Sequence, residues 1–285
     1  MLTSLNSAVS GLDAFQQQMD IIGNNIANLN TTGFKSANGN LVDSFSNTLQ
    51  AATTTGNSTT NAMQIGTGVT TGSITNDWAQ GTINPTGVTS NLAISGNGFF
   101  IVQDPNNTAA QYVTQDGTFT VNSAGYLVNS AGMQVIGYNT ASNGAVSTSS
   151  TGPISINISG STSTAAMTGY TINSQGVITV TQADGTTSNC GQILLQNFSN
   201  PQALMNVGNN MFSNQANAGG LATPSTPGST TTGVGTIQSG ALELSNVDLS
   251  AQMANLIFAQ RGFEANSKII TTSDEILQTV DNMKH

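Results

Sequence analysis

A chain that begins and ends in helices of the same kind has few ways to fold, and this 285-residue sequence has that form. Near its start, apolar residues fall at Leu2, Leu5, Val9, Leu12, Phe15, Met19, Ile22, Ile26 and Leu29. They stand three or four positions apart, a mean period a little under 3.5. That spacing predicts a helix with a left-handed coiled-coil seam. Gly11 and Gly23 interrupt it, each costing about 1 kcal/mol relative to Ala. At the other end Leu249, Leu256, Phe263, Ile270 and Leu277 form a strict heptad row, reinforced by Met253. At about 100° per residue, Phe258, Ala265, Ile269, Ile276 and Met283 form a second apolar row on a different face. Glu264 and Lys268 lie at i, i+4 on the polar side, in the favourable order. A helix with two apolar faces needs two partners. The N-terminal helix can supply one, and the other must come from elsewhere. On pattern alone, a helix buried in its own globular domain remains open.

The first helix runs into "NNIANLNTTGFKS" (residues 24–36). Asn is a poor helix former and a good turn former, so the cluster predicts a helix end. Asn28 or Asn30 is expected to take the left-handed conformation or cap the last turn. Gly33 then permits the reversal, and Phe34 offers an anchor for the connecting segment.

The middle has the character of β structure. "NLAISGNGFFIV" (91–102), "QYVTQDGTFTV" (111–121) and "GYLV" (125–128) are short strand-like runs separated by turn residues, among them Asp116-Gly117 and Ala124-Gly125. "ISINIS" (154–159) alternates strictly, with Ile154, Ile156 and Ile158 on one face. "GVITV" (176–180) leads to Asp184-Gly185, a hairpin signal, and "QILLQNF" (192–198) completes the set. Such spacing indicates antiparallel pairing. Three Ser/Thr/Asn/Gly-rich stretches, 46–62, 139–152 and 219–235, read as loops or linkers. The expected fold class is therefore α+β: paired terminal helices in a coiled-coil layer, with a central, mainly antiparallel β region inserted between them.

Little here points to chemistry. Charged residues make up 6% of the chain, against about 25% in typical globular domains. The net charge is −9, and Lys35, Arg261, Lys268 and Lys284 are the only cations. Without a basic patch, nucleic-acid binding and attachment to anionic membranes are not expected. No apolar run approaches the 18 residues of a membrane span. The N-terminus lacks the cationic and continuously apolar regions of a cleaved secretory signal. The single histidine, His285, is the last residue, and Cys190 has no histidine to activate it. No Cys or His spacing suits zinc. "GNGFF" (96–100) lacks the third glycine and following helix of a dinucleotide loop. No catalytic, metal or cofactor-binding residue is expected, and no cofactor. Cys190 reads as a small buried residue.

Four stretches carry a family resemblance. "AVSGLDAFQQQMDIIG" followed by "NNIANLNTTGFKS" closely resembles the N-terminal motif of bacterial flagellar rod and hook proteins. "NLAISGNGFFIV" resembles their β segment, and "GQILLQNFSNPQALMNVGNNMFS" their return strand region. "SNVDLSAQMANLIFAQRGFEANSKIITTSDEILQTV" resembles their C-terminal helix. The motifs occur in the family's order over nearly the whole chain. The resemblance implies a non-enzymatic subunit of a tubular axial structure, exported through the flagellar type III apparatus without signal cleavage. Its implied partners are copies of itself in a helical homopolymer, other axial proteins (rod, hook cap and hook–filament junction) and the export apparatus, with no nucleic acid and no membrane insertion.

The expected parts are an N-terminal helix (1–33) sharing an inner layer with a C-terminal helix (244–285), and a connecting segment (34–75). A β domain (76–138 and 190–243) carries a small inserted subdomain (139–189). Leu5, Leu12, Met19, Ile22, Ile26, Leu249, Leu256, Phe263, Ile270 and Leu277 are the expected assembly residues of the helix layer. Asn24, Asn25, Asn28, Gly33 and Phe34 are the motif residues. Within the family, residues 259–277 are most like a short flagellar hook protein, the extracellular joint that transmits torque from rod to filament. The alternative is the distal rod subunit of the basal body, which the length of the 36–64 segment approaches.

Overall fold

The computed structural model describes residues 2–55, 58–107, 110–140, 146–156, 167–213, 217–219 and 224–283. Ile158 and His285 fall outside them. The chain forms two compact units. One comprises Met1–Asn28, Ser36–Asp77 and Val247–His285; the other comprises Leu29–Lys35 and Trp78–Asn246. The expected plan is present: terminal helices α1 (Leu2–Ala27) and α2 (Leu249–Met283) pack together, and antiparallel β structure lies between them in sequence. Neither helix is long and apolar enough to cross a membrane.

In the helical unit, Asp248 caps α2, its Oδ1 accepting from the backbone N–H groups of Ser250 (2.8 Å) and Ala251 (3.3 Å). A β-ribbon completes this unit. Ala37–Asp43 pairs antiparallel with Val69–Asn76, with a register shift between Asn40 and Leu41. The ribbon continues through Ser46–Gln50 with Met63–Gly66, and Thr53–Thr55 with Ser58–Thr60. Residues 46–62, read above as a linker, therefore carry three short strands. Their pairing rests on backbone hydrogen bonds and β-branched threonines, without the one-sided apolar alternation that marks a half-buried strand.

The second unit is built on one large antiparallel sheet. Its main path runs Met167–Ile172, Val177–Gln182, Thr187–Ile193, Gln134–Thr140, Phe99–Gln103, Gln111–Thr114, Met211–Ser213 and Met205–Gly208. Phe99–Gln103 lies near the middle and is buried on both faces. Successive side chains alternate faces. Phe100 and Val102 therefore enter one core with Leu92, Phe119 and Ile193, while Phe99 and Ile101 enter another with Val113 and Phe212. This explains why "FFIV" is continuously apolar. Gln134–Thr140 pairs with both Phe99–Gln103 and Thr187–Ile193, so one sheet joins the central strand to the strands of residues 167–193. The Asp184-Gly185 turn joins Val177–Gln182 to Thr187–Ile193, with Gly185 at φ 82° and its N–H donating to Gln182 O. Ile154 and Ile156 are fully buried, as their alternation predicts, although neither lies in a regular strand. Cys190 is buried, and burial pushes its thiol pKa up.

This unit closes on an ion pair. Lys35 Nζ lies 2.7 Å from Glu243 Oε1, and both side chains are almost wholly buried. Lys35 also donates to Ala79 O (2.9 Å), and Glu243 Oε1 accepts from the Gly81 N–H (2.8 Å). Removing one member of such a pair strands a buried charge, at a cost of about 3–5 kcal/mol. Lys35→Met is expected to lower the stability of this unit by that amount, and adding Glu243→Gln to recover most of it. Trp78, the sole tryptophan, reports the urea unfolding of this unit by its fluorescence.

Candidate functional site

The terminal helices hold the residues expected to build the assembly layer. α1 and α2 run antiparallel. A Cβ added at Gly11 would meet Asn266 at 2.5 Å, one at Gly262 would meet Phe15 at 2.5 Å, and Asn25 Nδ2 donates to Gln252 Oε1 at 3.3 Å. Continuing that register puts the start of α1 near Glu275. The last two turns of α2, residues 276–283, therefore run past their partner. On α2 the inward positions are Gln252, Leu256, Ala259, Phe263, Asn266, Ile270 and Ser273, at alternating spacings of four and three. The heptad row supplies every second member, and Gln, Ala, Asn and Ser supply the rest. The apolar stripe concealed this half of the seam because small and amide side chains do not register as apolar.

Leu256, Phe263 and Ile270 are half-buried, while Leu249 and Leu277, near the two ends of α2, are exposed. On α1, Ile22 is buried, and Leu5, Leu12, Met19 and Ile26 are half-buried. Ala8 and Ala14 are more deeply buried than these large residues. Gly11 is buried in the seam, so it is a packing position as well as a weak point. Gly23 has nothing within 4 Å of a built Cβ. α1 also meets the β-ribbon. A Cβ at Gly39 would lie 2.7 Å from the Ile21 side chain, and Ser10 Oγ accepts from the Val69 N–H at 3.3 Å. Glu264 is bonded to Arg261 Nη1 at 2.8 Å, an exposed i, i+3 pair, in place of the expected Lys268 contact.

The second row of α2 is open to solvent. Phe258 is 75% exposed and Met283 84%, with Ile257, Ile269, Ile276 and Val280 also exposed. Met253, expected to reinforce the seam, is exposed too.

The asparagine cluster divides its work. Asn25 is buried at the end of α1, and its carboxamide behaves like a strand neighbour of Ala37. Nδ2 donates to Ala37 O (2.8 Å), and Oδ1 accepts from Ala37 N–H (2.9 Å). Asn24 is exposed, and its carbonyl accepts from both the backbone N–H and the Nδ2 of Asn28. Of the two outcomes expected, the second is found: Asn28 caps the last turn through its side chain, while neither Asn28 nor Asn30 is left-handed and Gly33 is, with φ 65°. Asn28 instead prolongs the helical bonding pattern, and the side-chain bond makes a backbone reversal there unnecessary. Gly33 is required twice over, because a Cβ there would also lie 2.8 Å from Asp116 N. Its own N–H donates to Glu243 O at 2.9 Å, and Thr32 Oγ1 donates to Asp116 Oδ1 at 2.9 Å. Phe34 is half-buried.

The terminal helices pair, one of them with an exposed apolar face, and the β region is inserted between them in sequence. Three family models match in sequence order: "Flagella basal body rod protein" over residues 5–35, "Flagellar hook protein FlgE/F/G D1 domain" over 93–180, and "Flagellar basal body rod FlgEFG protein C-terminal" over 238–283. The flagellar basal-body rod protein FlgG of Bacillus subtilis is 37% identical over the full length of both chains. FlgG of Caulobacter vibrioides is 33% identical over 99% of this chain and all of its own. The flagellar hook protein FlgE of Borreliella burgdorferi is 27% identical over the whole of both, across 448 aligned positions. The chain belongs to the flagellar FlgE/F/G rod and hook family, and is a structural, non-enzymatic axial subunit of the flagellum.

The two kinds of glycine separate experimentally. Gly262→Ala is expected to push the Phe15 ring off α2 and to destabilise the helix pair by about 1–3 kcal/mol. Gly23→Ala is expected to stabilise α1 by up to about 1 kcal/mol, having free space and a better helix former. Thermal melting of the circular dichroism signal at 222 nm checks both.

Proposed function

We propose that this chain is the distal rod subunit of the flagellar basal body, polymerising with copies of itself into a tube and meeting other axial proteins at the tube's ends. The observation that carries the reading is colinearity with rod relatives. The FlgG proteins align over 283 to 293 positions with 33–37% identity, whereas the hook relative needs 448 positions to align a chain of 285. This colinearity supports the rod alternative over the hook reading given above. The paired helices form the assembly layer: the seam residues Leu256, Phe263 and Ile270 hold the pair, and the open row of α2 receives a neighbouring subunit. Burying that row gains about 25 cal/mol per Å² of apolar surface.

Electron microscopy of the assembled protein tests the identity. A straight tube is expected, and a curved one would return the hook reading. The open row is tested separately by Phe258→Ser. Because Phe258 touches little within the subunit, the monomer's melting temperature is expected to stay unchanged. The critical concentration for polymerisation is expected to rise about tenfold or more, from the roughly 1.5–3 kcal/mol of a buried Phe. Unchanged polymerisation would place the neighbour elsewhere.

A further inference from the structure

Asn-Gly occurs at three places in the chain: residues 38–39, 97–98 and 143–144. The last lies outside the described residues. Such a pair carries its own chemistry, because a glycine amide nitrogen, uncrowded by a side chain, can attack the carboxamide carbon of the asparagine before it. The fold holds the two described pairs differently. Asn38 and Gly39 lie within the Ala37–Asp43 strand, opposite Thr75 and Ile74. Asn97 is exposed, in the bend between Leu92–Ser95 and Phe99–Gln103. Among the described residues, its carboxamide has no hydrogen-bond partner and nothing accepts from the Gly98 N–H. Nothing therefore ties the carboxamide away from the nitrogen.

A further bond activates that nitrogen. The Asn97 carbonyl belongs to the same peptide group, and it accepts from the Gly235 N–H at 2.7 Å. A hydrogen bond to this oxygen stabilises the charge that spreads onto it when the Gly98 N–H loses its proton. The glycine is also one the fold requires. Gly98 has φ 146°, and a Cβ there would lie 3.3 Å from Val234 Cγ1.

We propose that Asn97 is a site of spontaneous deamidation and isoaspartate formation. Water or hydroxide takes the Gly98 amide proton, and the nitrogen forms a bond to Asn97 Cγ. The bond from Cγ to the carboxamide nitrogen breaks, and that nitrogen leaves as ammonia with a proton from water. Water then opens the five-membered succinimide. Attack at Cγ gives aspartate, and attack at the main-chain carbonyl carbon gives isoaspartate, with the backbone running through Cβ. The net change is carboxamide plus water to carboxylate plus ammonium, with no oxidation or reduction. Either product adds one negative charge. Only isoaspartate lengthens the backbone, by one methylene just before Phe99, whose pairing with Gln196 it displaces. The reaction takes place within a single subunit and asks nothing of the polymer.

Storage of the full-length protein in mildly alkaline buffer, followed by peptide mass spectrometry, tests the site. A protein-isoaspartate methyltransferase serves as the probe for isoaspartate. Asn97 is expected to gain one dalton about tenfold faster than Asn38, which reacts only when its strand opens. In unfolding urea the two are expected to react at similar rates. The urea midpoint of Trp78 fluorescence is expected to fall with storage in wild type and to hold in Asn97→Gln, whose carboxamide is one methylene too distant for the five-membered ring. Fresh Asn97→Asp, which adds the charge without the methylene, is expected to keep the midpoint of fresh wild type. A carboxamide on Asn97 that lasts as long as that on Asn38 in the folded chain would overturn the proposal. So would a rate gap that persists in urea, or an equal fall in midpoint in Asn97→Gln.

Discussion

An ammonium and a carboxylate removed from water together hold the β unit shut. Lys35 stands where the chain first leaves this unit and Glu243 near where it leaves for the last time, and they meet at 2.7 Å with almost no solvent access. The pair is weak as a source of net stability, since desolvation offsets much of its attraction. Its importance lies in what it excludes. Any arrangement that separates the two segments strands a charge in a low-dielectric interior. The bonds from Lys35 to Ala79 O, from Gly81 N–H to Glu243 and from Gly33 N–H to Glu243 O gather three separate stretches around that point. In a chain with four cations, one of them is committed here.

The helical unit relies on a different economy of side chains. Its seam alternates large apolar residues with Ala, Gly, Asn and Gln, so the helices approach closely along one line. The large apolar residues left over then lie on the opposite face of α2. Asn25 shows why an amide is useful in such a place. One carboxamide satisfies both backbone groups of Ala37 and reaches Gln252. A carboxylate would lose the donor and an apolar side chain both bonds.

Much of this was legible in the sequence. Period 3.5 located both helices, the heptad row marked half of the seam, and the second row of α2 identified a face without an intramolecular partner. Alternation located Ile154 and Ile156, and the strand-like run 91–102 holds two strands, Leu92–Ser95 and the central Phe99–Gln103, whose burial on both faces the sequence reading did not single out. The ribbon within residues 37–76 escaped because it pairs through its backbone, with polar residues on both sides. The small half of the seam escaped because packing by Gly and Ala has no hydropathy signature. The Lys35–Glu243 pair escaped because its members stand 208 residues apart and nothing local marks either as buried.

The open row of α2 has a thermal consequence. Phe258, Ile269, Ile276 and Met283 bring no charge to a contact, so an association through them draws its free energy from water released from apolar surface. That driving force weakens on cooling and is little screened by salt. A joint made this way tightens with warmth across the ordinary range and is nearly indifferent to ionic strength. A structure so built tolerates changes in the salinity of its surroundings more readily than cold.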